Sequence, residues 1–143
     1  MQKKSQNHKL IKLYLQLLNL MKQAKLEKNS KLEDDFGKID LQSEIFNFIY
    51  TYYYEKEMGS PLSRRLFSFQ SLIEQQDLTH VKLATHRIER NYSPNGRRRV
   101  NIDPVYMLRN RFVLASGKNF SHRISIGDGI YADLTLIYKK GRF

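Results

Sequence analysis

The 143-residue chain has no cysteine and no tryptophan, only three prolines and seven glycines, and 14 acidic side chains against 25 basic ones. Without cysteine there is no disulfide, no cysteine-bound zinc, no iron–sulfur cluster and no thiol nucleophile. No run of apolar residues reaches the roughly 20 that a membrane-spanning helix requires. Lys3 and Lys4 precede an apolar stretch from Leu10 to Met21 in the manner of a signal peptide. Lys12, Gln16 and Asn19 interrupt that stretch, however, and no small-residue cleavage site follows it. A cytoplasmic, soluble chain with no membrane insertion is the expectation. The phosphate loop, the dinucleotide glycine fingerprint, the nucleophile elbow and the paired-histidine metal motif are also missing, so the residues nominate no enzyme class, no metal and no cofactor.

What is present is a chain 41% hydrophobic and 27% charged, long enough for one domain with its own core. The formal charge of +11 calls for an acidic partner, whether nucleic acid, anionic membrane or an acidic protein face. That charge gathers toward the C-terminus, where nine arginines and three lysines from position 87 onward face Glu89, Asp103, Asp128 and Asp133.

The spacing predicts a helix over residues 8–28. Lys9, Lys12, Gln16, Asn19 and Gln23 form one polar stripe at steps of three and four, with Leu10, Leu13, Leu17, Leu20 and Met21 among the apolar remainder. This apolar surface exceeds what one face needs and suggests docking on a partner. Residues 29–40 read as a polar linker containing Gly37, and 41–143 as the main domain. Asp40 is placed to cap a second helix through Leu41, Ile45, Phe48, Ile49 and Tyr52, which Gly59 and Pro61 end. The ring-rich run Tyr50 to Tyr54 suits packing better than base stacking, because successive rings on a helix diverge. Leu62 to Ile73 reads as a loop with a helical turn. A third helix covers 79–91, its apolar side being Leu78, Val81, Ala84, Ile88 and Tyr92. After the Asn95-Gly96 turn, a weak alternation runs to Ile102 before Pro104 breaks it or confines it to an edge. Strands follow at 111–116, 122–126 and 130–138, the last two joined by an Asp128-Gly129 hairpin. The expected class is α+β, with N-terminal helices followed by a small antiparallel β-sheet.

Two chemical readings attach to the basic half. His86 and His122, with nearby arginines, could form a metal-independent ribonuclease, one imidazole acting as base and guanidiniums holding phosphate. Arg97, Arg98 and Arg99 at a hairpin tip could instead form the wing of a DNA-binding module. Against the wing, no tight helix-turn-helix precedes residues 79–91.

The order of features over residues 41–138 resembles the small baseplate wedge protein of contractile phage tails and its type VI secretion counterpart, the TssE family. Leu41-Gln-Ser-Glu-Ile-Phe-Asn-Phe-Ile-Tyr-Thr51 stands for the family's first helix and Leu66 to Leu72 for its short apolar segment. Ile88 to Pro94, with Arg97 to Ile102, is similar to its helix, Glu-Pro-Arg motif and following strand, although Ser93 stands where the family has glutamate. The resemblance implies a structural, non-enzymatic baseplate subunit. Its partners would be larger wedge proteins and sheath subunits, met through Leu10, Leu13, Leu17, Leu20 and Met21 and through the motif region Tyr92, Pro94, Arg97, Arg98 and Arg99. Leu134 and Leu136 of the last strand would lie on a sheet edge open to strand addition.

Overall fold

The computed structural model describes residues 10–20, 27–48 and 54–142. The first element overturns the expected N-terminal helix: Ile11–Leu20 is a ten-residue strand, β1. Leu13, Leu15 and Leu17 are buried together with Ile11, while Lys12, Tyr14 and Gln16 between them are half-buried, an alternation of period two. The polar residues fit a helical stripe equally well, since Lys12 and Gln16 are four apart. Strand pairing on both sides decided the outcome. Met21 and the start of the presumed helix lie outside the described residues. The polar segment read as a linker is instead a helix, α1 (Glu27–Phe36). Its Leu32 is buried in the main core, and Phe36 meets Phe69 edge-on at 5.6 Å.

The second expected helix is likewise absent over its described part. Two short strands, β2 (Ile39–Gln42) and β3 (Phe46–Phe48), precede a four-residue helix, α2 (Glu55–Met58). The presumed loop from Leu62 is a twelve-residue strand, β4 (Leu62–Ile73). Only the third helix stands where the periodicity put it, as α3 (Leu78–Asn91). The strands β5 (Val100–Leu108), β6 (Arg111–Ser116), β7 (Arg123–Gly127) and β8 (Ile130–Ile137) complete the chain. Asp128 and Gly129 both take positive φ, 55° and 75°, at the tight turn between β7 and β8.

The eight strands among the described residues join one antiparallel sheet, in the order β2-β4-β1-β5-β6-β8-β7, with β3 also on β4. The expected small C-terminal sheet is therefore only half of a larger one, and the N-terminal segment lies inside it. β8 is flanked by β6 and β7 and is not the outer strand; β7 is. α1 and α3 bury Leu32, Val81 and Ile88 against Leu13, Leu15, Leu17, Phe67, Phe69, Val100 and Ile102. A second cluster places Leu78 of α3 with Tyr106, Val113, Ala115 and Ile130.

The sheet has a split that determines where chemistry can sit. β5 pairs with β6 only from Val105↔Leu114 to Leu108↔Arg111. Earlier in β5, residues Val100 to Pro104 pair with β1 alone, while Ala115 and Ser116 of β6 pair with β8 alone. The two halves part beyond Val105 like the arms of a V. Pro104 does not break the strand as expected. Backbone groups alternate sides, so its missing N–H falls on the same side as that of Ile102, toward the split, where the ladder has no neighbour.

Candidate functional site

α3 closes the split with side chains. Lys82 and Glu89 are seven residues apart, two helical turns, and so share one side of the helix. Lys82 Nζ donates to the Ile102 carbonyl at 2.8 Å and pairs with Asp103 Oδ1 at 3.2 Å. The Ile102 N–H donates to Glu89 Oε2 at 2.7 Å. A cation and a carboxylate thus take the place of the absent strand and satisfy both backbone groups of Ile102. Burial pushes the Glu89 carboxyl above its usual range, against the opposing pull of Lys82 and the Ile102 N–H.

From there the polar network runs outward. Asn101 Nδ2 donates to Asp103 Oδ2 at 3.0 Å, and Arg98 Nη1 donates to Asn101 Oδ1 at 2.6 Å. Arg98 also clamps Glu57 of α2, through Nε at 3.0 Å, Nη2 at 3.0 Å and its backbone N–H at 2.9 Å. Those Arg98 hydrogen bonds hold the Glu57 carboxyl below its usual range.

Over this network lies a cleft of about 680 Å³, within the roughly 300–1,000 Å³ typical of ligand sites. Lys82 and His86 of α3, Arg98 before β5, Lys118 after β6 and Arg123 of β7 reach it from separate elements, with Asp103 and Asp133 as its carboxylates. Four cations face two carboxylates. Arg123 is braced: Nε donates to Asp133 at 3.1 Å, and Nη1 to Ser116 at 2.9 Å and the Lys118 carbonyl at 3.0 Å. Its guanidinium lies 4.7 Å from the Phe120 ring centre. Tyr54 also lines the cleft, with Lys118 Nζ 5.9 Å from its ring centre. Among the described residues no group of three or more histidines and carboxylates is placed to hold a metal ion.

His86 is the conspicuous member. It is half-buried, lines the cleft and makes no hydrogen bond or ion pair among the described residues. Burial lowers its pKa, helped by the nearby charges of Lys82, Arg90 and Arg98, which favours the neutral ring. Gly117 makes room for it: a Cβ there would lie 3.2 Å from His86 Cε1 and 3.3 Å from Nε2.

The residues expected to bind partners scatter. Leu13 and Leu17 are core, and Leu10 is exposed. Leu20 pairs with Leu62 in the sheet, and Met21 is outside the described residues. Tyr92 is half-buried against the core, and Pro94 opens a short 3-10 turn. Arg97 and Arg99 are exposed, whereas Arg98 joins the cleft. Leu134 and Leu136 are exposed on β8. His122 pairs through Nε2 with Asp133 at 3.3 Å and stacks on Phe120, both of which line the cleft. Of the histidines and arginines considered from sequence, His86, Arg98 and Arg123 line one cleft, and His122 contacts two of its lining residues from outside. Lys82, Asp103, Lys118, Phe120 and Asp133 were not foreseen. The available signal was the pair Lys82 and His86, one turn apart on the helix that periodicity had identified.

The fold and site define a split antiparallel sheet, helix-covered on one face, with a cation-rich cleft at the split. The chain belongs to the family described as Domain of unknown function (DUF4416), whose model matches residues 9–143. No curated protein and no solved structure matches it. Among the described residues no helix is long and apolar enough to cross a membrane.

Proposed function

We propose that this cleft binds a nucleoside phosphate, either as a free nucleotide or as a unit of single-stranded RNA. The observation that carries the reading is the convergence of Lys82, Arg98, Lys118 and Arg123 from separate elements on one open cleft, with Phe120 and Tyr54 also in its lining. Fixed cations suit phosphate oxygens, and the fork of an arginine suits them best. Aromatic faces suit a base, which stacks without regard to sequence. Lys82, Arg98 and Arg123 already have internal acceptors. These contacts hold the cations in place before the ligand arrives, so less side-chain entropy is lost on binding.

Two features behind the baseplate reading are not found in the structure. Its docking helix is an interior strand over the described part, and the strand expected to offer an open edge lies between two others. The wing reading fares no better, since Arg98 is turned inward onto Glu57.

The test is isothermal titration of the whole chain with adenosine and uridine monophosphates and with pyrophosphate, beside fluorescence anisotropy with labelled oligouridylate. Saturable binding that falls at least tenfold in Arg123→Gln is expected, and the two arms show whether a free nucleotide suffices. Absence of binding in both arms, or affinity unchanged in Arg123→Gln, sinks the proposal.

A further inference from the structure

We infer that the cleft cleaves RNA, His86 acting as general base on a ribose 2′-hydroxyl and His122 as general acid on the leaving 5′-oxygen. This rests on the nucleotide-binding reading and adds an activity to it. Three observations carry the step. His86 is a half-buried imidazole in a phosphate-suited cleft and spends no hydrogen bond on the rest of the described protein. A histidine kept only for packing would be expected to have its nitrogens satisfied or replaced by carbon. Gly117 lies against its Cε1 and Nε2 side, so no side chain intervenes there. His122, finally, is a largely exposed imidazole outside the lining itself that adjoins the cleft through two lining residues, with Nε2 3.3 Å from Asp133 Oδ2 and its ring stacked on Phe120. Arg123 shares that carboxylate and lies in the same cleft, where a phosphate's negative oxygens would meet it.

The chemistry closes without a co-reactant. A nitrogen of His86 takes the proton of the 2′-hydroxyl as that oxygen bonds to the adjacent phosphorus. The bond from phosphorus to the 5′-oxygen breaks, and the 5′-oxygen departs with the proton of the His122 imidazolium. The products are a 2′,3′-cyclic phosphate and a 5′-hydroxyl, and exchange with water resets both histidines. The groups facing His86 are Lys82 and Arg90 on its own helix, Arg98 and Asp103 from the β5 side, and Gly117 from the end of β6. The cations favour its neutral, proton-accepting form, and Asp103 opposes them. Activity should rise with pH as the His86 imidazole, its pKa lowered by burial, loses its proton.

The experiment incubates the full chain with end-labelled oligouridylate in EDTA from pH 5 to 8.5. Products are identified by mass spectrometry, and binding is followed in parallel by anisotropy. Cleavage to a 2′,3′-cyclic phosphate is expected, lost by about 10²-fold or more in His86→Ala and in His122→Ala when each protein is saturated with RNA. His86→Gln and His122→Asn serve as second variants, and only proteins with wild-type melting behaviour are compared. A DNA oligonucleotide carrying one ribose should be cut only at the phosphate 3′ to that ribose, and its all-deoxy counterpart should stay intact. Wild-type protein that binds RNA but never cleaves it overturns the inference and leaves the binding proposal standing. Cleavage that survives both histidine variants, or that proceeds on the deoxy substrate, also overturns it.

Discussion

Lys82 is the residue on which the split in the sheet depends most directly. Its ammonium is almost wholly buried and serves two acceptors, the Ile102 carbonyl and Asp103. In Lys82→Met the stem still packs, but a carbonyl and a carboxylate lose their cation. Breaking a buried pair from one side costs about 3–5 kcal/mol, more than the pair itself contributes. A urea denaturation midpoint lowered accordingly is expected, with part of the loss recovered in Lys82→Met/Asp103→Asn, where the Asp103 charge has gone with its cation. Gly117 makes the opposite prediction. It sits outside the left-handed region, so alanine fits the backbone, and the crowding falls on His86 at 3.2 Å. Gly117→Ala should melt within a few degrees of wild type yet bind nucleotide several-fold more weakly, because the displaced ring now occupies cleft volume. Equal affinity in titration would show that the close approach has no bearing on the ligand.

At the scale of elements the decisive contrast is between β1 and α3. If β1 is a strand with its odd positions inward, Leu15→Ala should cost about 2–5 kcal/mol, while Gln16→Ala, half-buried on the other face, should cost less than about 1 kcal/mol. Denaturant titration of these two variants with Leu13→Ala and Leu17→Ala reads the period directly. Comparable losses at positions three and four apart, in place of alternate ones, would contradict the strand. The same contrast explains what the sequence made legible. α3 was readable because Leu78, Val81, Ala84 and Ile88 follow one face without ambiguity, and β6 to β8 because a hairpin signal and alternation agreed. β1 was not readable, because leucine serves helix and strand alike and its polar residues satisfied both periods. β2 to β4 are fixed by pairing with β1, a long-range fact that no local window contains. The cleft was half-visible: His86, His122 and the arginines were nominated by residue type. Their meeting depends on the point where β5 and β6 part, and no local pattern marks it. Glu89 adds a pH signature to α3. Its folded pKa is raised, so its contribution is fully present below the unfolded value near 4.5 and lost as pH rises through the folded value. Glu57 runs the other way, its stabilising bond to Arg98 being lost as pH falls through its lowered pKa. Glu89→Gln retains an acceptor for the Ile102 N–H, so its stability should gain on wild type as pH climbs from about 4.5 toward neutrality. A constant difference across that range would mean the carboxyl does not titrate differently in the folded chain.

For the whole molecule the question is whether the charge of +11 acts everywhere or in one place. A diffuse positive surface attracts any polyanion, and each phosphate neutralised contributes to the salt dependence wherever it sits. A cleft makes a narrower claim, because Arg97 and Arg99 are exposed on a loop whereas Arg98 and Arg123 are braced within the site. For single-stranded RNA the slope of log K against log salt is about 0.7 per phosphate contact. Replacing Arg123 by Gln should therefore flatten the slope by about 0.7 and weaken binding at every salt concentration. Replacing Arg97 and Arg99 together should change the slope by far less and leave mononucleotide affinity as it was. Anisotropy titrations from 50 to 300 mM salt on the three proteins decide the matter. If the exposed pair carries the slope and Arg123 does not, RNA lies along the loop, and the cleft would need a ligand of another kind.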